Sequence, residues 1–181
     1  MFMSIIQKRR SIRKFVSKPV EDEKIDRIIE AVLRAPSSMG KMPWSFFVVK
    51  DRDLLEQLSR AKNHGASFLK NAALGILVCA DSEISDVWIE DASIASTYIF
   101  LAAESMGLGT CWIQFRRRNH SDDIPSENYI ADLLNLPENL RVLSIIAAGY
   151  PDESKPPHEK DSLKYDRVYL DRFGIPYHNL A

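Results

Sequence analysis

Hydrophobic positions along the 181-residue chain switch between a helical and a strand spacing. Between residues 21 and 34, Ile25, Ile28, Ile29, Val32 and Leu33 fall at i, i+3, i+4, i+7 and i+8. That is one apolar stripe on a helix. Glu21, Asp22 and Glu23 suit its positive N-terminal end, and Pro36 stops it after Arg34. Residues 45–50 (SFFVVK) read as a strand, and 51–60 as a short amphipathic helix with Leu54, Leu55 and Leu58 inward. The run 73–80 (ALGILVCA) is apolar throughout, the pattern of a central strand buried on both faces.

Residues 87–106 predict a long, mostly apolar helix ending at Gly107. Ala92, Ala95, Ala102, Ala103, Ser93 and Ser96 make it thin, so another backbone can approach it closely, and a symmetry mate fits that role. A strand over 110–115 follows, then a helix over 126–134 with Pro137 beyond its exit. Residues 140–148 form another buried strand, broken by Gly149-Tyr150-Pro151. The alternation predicts one mixed domain, α/β or α+β, spanning residues 1–181. The stretch 151–181 is polar and carries Pro151, Pro156, Pro157 and Pro176. It cannot build its own core, so it is expected to lie across the domain or a partner subunit.

Composition narrows the function classes. A hydrophobic fraction of 45% and a charged fraction of 27% are ordinary for a soluble globular protein. A formal net charge of -1 supplies no global field for nucleic acid or an anionic membrane, so neither is expected as a partner. No apolar stretch approaches the roughly 20 residues a membrane helix needs. The N-terminus puts its charges after a short apolar stretch, the reverse of a signal peptide, which implies a cytoplasmic location. Cys79 and Cys111 sit inside apolar runs and read as buried free thiols. His64, His120, His158 and His178 are too scattered for a metal site. No dinucleotide fingerprint, P-loop or nucleophile elbow is present.

Three segments can carry chemistry. Five basic residues crowd into positions 8–14 (KRRSIRK). If the first helix continues this far, Arg9, Arg10 and Arg13 can share a face. Converging guanidiniums, with the Ser11 hydroxyl, suit a phosphate. The same residues equally describe a solvated basic helix end. The second segment is APSSMGKMPW at 35–44, a loop flexible enough for close backbone approach, with Trp44 able to cover a flat ring or simply fill the core. The third is GLGTCWIQF at 107–115, where two glycines precede a strand.

Taken in order, RRSIRKF, APSS followed by PW, GLGTCW and LPENLRVLSIIAAGYP resemble the signature of the nitroreductase family over about residues 4–173. The resemblance implies an α+β fold, a nitroreductase-like central sheet flanked by helices, in an intertwined homodimer with one FMN per subunit. It implies that Arg9, Arg10, Ser11 and Arg13 hold the FMN phosphate and ribityl chain. Pro36, Ser37 and Ser38 would lie beside the flavin ring of the partner subunit. Trp112, Ile113 and Gln114 would line its other side, with a backbone N–H near flavin N5. Lys160 or Lys164 would complete the phosphate site. The chain departs from the family pattern at Gly40 and Met42, where Asn and Gln are common. The implied activity is hydride transfer from NADH or NADPH through FMN to a small-molecule acceptor such as a nitroaromatic or quinone. No side chain need act as the acid. Other flavin chemistry on the same fold (dehalogenation, flavin processing) and a non-catalytic FMN-binding protein are the alternatives.

Overall fold

The computed structural model describes residues 2–177. Its elements, in order, are α1 (Phe2–Lys8), α2 (Asp22–Leu33), β1 (Trp44–Val49), α3 (Arg52–Ser59), β2 (Leu74–Asp81), α4 (Trp88–Ser105), β3 (Gly109–Gln114), α5 (Ser126–Leu134) and β4 (Leu140–Gly149). The four strands form one antiparallel sheet in the order β1-β2-β4-β3. This is the α+β arrangement expected.

The two central strands, β2 and β4, are buried almost throughout. Their alternating side chains feed two cores. On one face Ile76, Val78, Leu143 and Ile146 meet α2 and α4 through Ile28, Val32, Ala95 and Ile99. On the other, Leu77, Cys79, Ile145 and Ala147 meet Leu55, Leu58, Leu69 and Ile130. Helices therefore cover both faces of an antiparallel sheet, which explains why its inner strands lack polar alternation.

Element boundaries follow local chemistry. The Asp51 side chain accepts from Leu54 N at 2.7 Å and caps α3. Asn135 ends α5 in the left-handed conformation, with φ of 51°. Two expectations shift. Leu33 is 53% exposed, because it lies about 100° around the helix from buried Val32. Leu54 is half-buried, whereas Leu55 and Leu58 are fully enclosed. Both cysteines are buried and unpaired, and burial pushes the Cys79 thiol up to about 12. Of the four histidines, His64 and His158 are exposed, and His178 lies outside the described residues. His120 is half-buried, stacked on Tyr129. No group of His, Cys, Asp or Glu among the described residues could hold a metal, and no described helix is long and apolar enough to cross a membrane.

The N-terminal segment and the start of the tail meet at β3. Residues 9–16 run extended along the sheet end: Ser11 bridges Thr110 in parallel, Ile12 N donates to Thr110 O, and Val16 N donates to Tyr150 O. A Cβ at Gly109 would stand 2.8 Å from Ile12 Cβ, so only glycine lets this segment dock. Gly109→Ala is expected to lower stability by about 1–3 kcal/mol, the cost of overpacking. Urea denaturation reads this, and faster amide exchange at Ile12 and Val16 locates it. An unchanged midpoint would show that Ile12 yields freely.

Candidate functional site

Helix α1 stops at Lys8, so the basic cluster is not a helix face. The extended backbone after it sends the arginines to different neighbours. The Arg9 guanidinium lies 5.8 Å from the Phe100 ring centroid on α4. Arg10 donates to Pro156 O in the tail. The Arg13 guanidinium lies 5.8 Å from the centroid of Phe68. Ser11 sits between them, beside the Cys111 thiol.

The tail closes this arrangement. Lys155 Nζ donates to Ser11 O and pairs with Glu153 at 3.2 Å. The Glu153 carboxylate oxygen also accepts from Arg13 N and, at 3.2 Å, from Lys14 N. These bonds, with the Arg13 N–H foremost, hold the Glu153 carboxyl below its ordinary range. Three donors on one carboxylate oxygen show that this spot already accommodates an oxyanion. Lys8, Arg10 and Lys155, with Gly109, Glu104 and Glu153, line a cavity of about 240 Å³ beside it. Its three cationic side chains suit a phosphate monoester, which would take over donors that Glu153 now occupies.

Burial raises the Cys111 thiol above its ordinary range, against the opposing pull of Arg13, Lys155 and Ser11. Those groups therefore surround one point on β3. Lys155 was not singled out from the sequence. Lys160 and Lys164, which were, lie in and before short exposed turns, and none of their described contacts reaches residues 9–13. The signal that would have found Lys155 is its spacing of five residues after Tyr150, the point where the N-terminal segment pairs.

Further along β3, Trp112 and Gln114 share one face, while Ile113 is buried on the other. Ile113 can therefore offer a ligand only its backbone. Trp112 Nε1 donates to Gln114 Oε1 at 2.8 Å, and Gln114 Nε2 donates to Arg116 O at 3.1 Å. Phe100 packs against the Trp112 ring at 6.3 Å.

Pro36, Ser37, Ser38, Gly40 and Met42 lie in a separate loop before β1. It is wound tightly: Met39, Gly40 and Met42 have φ of 53°, 67° and 47°. Such angles cost non-glycine residues about 1–3 kcal/mol each, so something must hold the loop. Buried Asp91, in the first turn of α4, accepts from Ser38 N at 2.7 Å and from Ser85 Oγ at 2.9 Å. Ser37 Oγ accepts from Met42 N at 2.9 Å. The result displays Met39 and Met42 outward, 89% and 57% exposed. Asp91 was not singled out from the sequence, where it is one acid among several.

The site thus has two parts: an oxyanion cradle at the chain's crossing point, and a strained, outward loop. Comparison with known proteins gives this arrangement its class. The model of the nitroreductase family matches residues 6–73 and 58–150. An FMN-dependent nitroreductase from Clostridium difficile is 46% identical, with a TM-score of 0.93 over 94% of this chain and 99% of that one. A relative from Archaeoglobus fulgidus, whose name pairs NADH dehydrogenase with NAD(P)H nitroreductase, is 35% identical over 94% of this chain and 98% of its own. The NADPH:FMN oxidoreductase of Vibrio harveyi, solved with NAD+, is 28% identical, with a TM-score of 0.79 over 95% of this chain and 77% of that one. The chain belongs to the nitroreductase family.

Two outcomes test the geometry. Asp91→Ala removes the Ser38 anchor of the loop and the partner of Ser85, and is expected to cost about 1–3 kcal/mol in chemical denaturation. Glu153 favours docking of the tail while ionised. Its folded pKa is lowered, so that contribution is complete above the ordinary carboxylate range, near 4.5, and is lost as pH falls below it. Amide exchange in 151–156 should therefore accelerate on acidification, and Glu153→Gln should abolish that dependence.

Proposed function

We propose that the chain carries hydride equivalents from NADH or NADPH, by way of FMN, to an electron-poor small molecule such as a nitroaromatic or quinone. Its membership of the nitroreductase family makes it an FMN-dependent NAD(P)H oxidoreductase; the acceptor class is the proposal. The observation that carries it is the cationic cavity of Lys8, Arg10 and Lys155 beside β3, flanked by Ser11, whose donors suit a flavin phosphate. When bound there, FMN supplies a two-electron centre that takes up hydride and yields it to an acceptor.

The protein's own part is binding and placement. Arg10 and Lys155 bring charge to the phosphate, and Ser11 offers a hydroxyl. Trp112 and Gln114, locked to each other, form a rigid wall on the same strand. The backbone of β3 supplies N–H groups at fixed spacing along that wall. None of this requires an acid or nucleophile, and the two thiols are buried and pushed upward.

A homodimer completes the reading. Tyr98, Leu101, Ala102 and Met106 of α4 and its C-cap line an apolar groove with Phe2 and Ala31. In the tail, Tyr169 pairs with Pro176 in a small hairpin that leaves Phe173 89% exposed. Surfaces of this kind are covered in an assembly. In such a dimer the 36–42 loop faces the flavin site of the other subunit, and Gly40 and Met42 replace polar side chains by backbone and thioether. That favours flat, apolar acceptors.

The purified protein is expected to be yellow and to lose its flavin absorbance when NADH or NADPH is added without oxygen. Arg13→Ala should weaken FMN retention by about 1.5–3 kcal/mol, the scale of one charged hydrogen bond, in a fluorescence titration. A colourless protein without FMN binding would sink the reading. Flavin that bleaches without turnover of menadione or a nitroaromatic would remove the acceptor class alone.

A further inference from the structure

The start of the tail already supplies an anion to the cradle. Residues 150–152 run antiparallel to 14–16: Phe15 bridges Pro151, Val16 N donates to Tyr150 O, and Asp152 N donates to Lys14 O at 2.9 Å. That pairing carries Glu153 to Arg13 and Lys14, whose two successive backbone N–H groups donate to one oxygen of its carboxylate. Lys155 Nζ stands 3.2 Å from the same oxygen. Successive main-chain N–H groups aimed at one point form a concavity that takes anions. Nothing in such donors distinguishes a carboxylate oxygen from a phosphate oxygen. Glu104, the other acid lining the cavity, bonds to none of them.

Charge decides between the two occupants. Lys8, Arg10 and Lys155 line the cavity with Glu104 and Glu153, so three cations meet two carboxylates. The one net positive charge that remains does not offset a phosphate monoester, which carries about −1.5 to −2 near neutral pH. Withdrawing Glu153 leaves two net positive charges, which do. The withdrawn carboxylate also frees donors for the arriving phosphate oxygens. Asp152 and Ser154, on either side of Glu153, are exposed, so its side chain has water to turn into.

We propose that Glu153 is a built-in competitor for the cofactor phosphate: it fills the oxyanion site in the flavin-free chain and must leave the Arg13 and Lys14 amides for FMN to seat. The proposal rests on the FMN oxidoreductase reading given above. It makes Glu153 a determinant of ligand choice, because only an anion that outcompetes a tethered carboxylate gains the site. A phosphate ester does so by its charge. The neutral ribityl end of riboflavin does not.

The test uses the full-length, flavin-free protein and the variants Glu153→Gln and Glu153→Ala, with Glu138→Gln as a control for the loss of one surface charge. Dissociation constants for FMN and riboflavin are read by flavin fluorescence. Both Glu153 variants are expected to bind FMN about tenfold more tightly, the scale of one charged hydrogen bond that no longer has to be broken. Riboflavin, which lacks the phosphate, should bind as it does to wild type, and Glu138→Gln should change nothing. A second measurement needs no variant to fold: the carbon-13 shift of the wild-type Glu153 carboxyl across pH, with and without FMN. Without FMN, the Arg13 N–H foremost holds that carboxyl below its ordinary range. The charges around it are Lys8, Arg10, Arg13, Lys14 and Lys155 on one side of the balance and Glu104 and Asp152 on the other. With FMN bound the donors are lost and a second anion stands close by, so the titration should move to higher pH.

FMN binding that is unchanged or weaker in both Glu153 variants overturns the proposal, as does a carboxyl titration that FMN leaves in place. Equal tightening of riboflavin overturns it too, since the effect would then lie outside the phosphate. If the wild-type protein binds neither flavin, the functional reading fails on its own. Calorimetry with inorganic phosphate then decides: binding that Glu153→Ala strengthens upholds the competing carboxylate, and binding equal in the two proteins, or absent from both, overturns it.

Discussion

The docking of residues 9–16 against β3 and the start of the tail is the contact on which the site depends. Ile12 fills the space above Gly109, and the Ile12 and Val16 amides bond to Thr110 and Tyr150. One short extended segment thereby brings together the N-terminal region and the start of the tail. Without it, Arg10 and Arg13 would be solvated charges, and the tail would have no Ser11 carbonyl to receive Lys155. A hydrophobic side chain packed on a glycine thus fixes the position of charged groups that could not order themselves in water.

The sheet supplies the rigid frame for that contact. Because helices cover both faces, β2 and β4 are apolar from end to end, and chemistry is pushed to the edge strand β3 and its surroundings. Residues on β3 then divide by parity. Cys111 and Ile113 face one core, while Trp112 and Gln114 lie on the other side. The same alternation leaves the Trp112 and Gln114 side chains half-buried and encloses that of Ile113.

Much of the fold was legible in the sequence because its signals are local. The stripe of Ile25, Ile28 and Val32, the apolar run of β2 and the turn chemistry around Pro36 and Pro137 each declare an element without help from elsewhere. The cradle was legible only as a pattern of motifs in order. Its geometry was not: a shared face for the arginines required α1 to continue, but α1 ends at Lys8, and the strand-like pairing with Thr110 sends them to different neighbours. The return of Lys155 to Ser11 was not legible, because which tail lysine makes that bond depends on contacts across more than 140 positions of sequence. Asp91 was hidden for the same reason. Nothing around an acid in a helix's first turn says that it holds a loop more than fifty residues earlier.

That loop has a thermodynamic consequence. Met39, Gly40 and Met42 occupy backbone angles that two of the three residues resist, and a few hydrogen bonds through Asp91 and Ser37 oppose the resistance. The displayed shape thus persists only while the anchoring bonds outweigh the strain. Each such bond contributes about 1 kcal/mol, the same scale as the strain it opposes. Ser85, bonded to Asp91 behind the loop, therefore bears on the loop's shape without belonging to it.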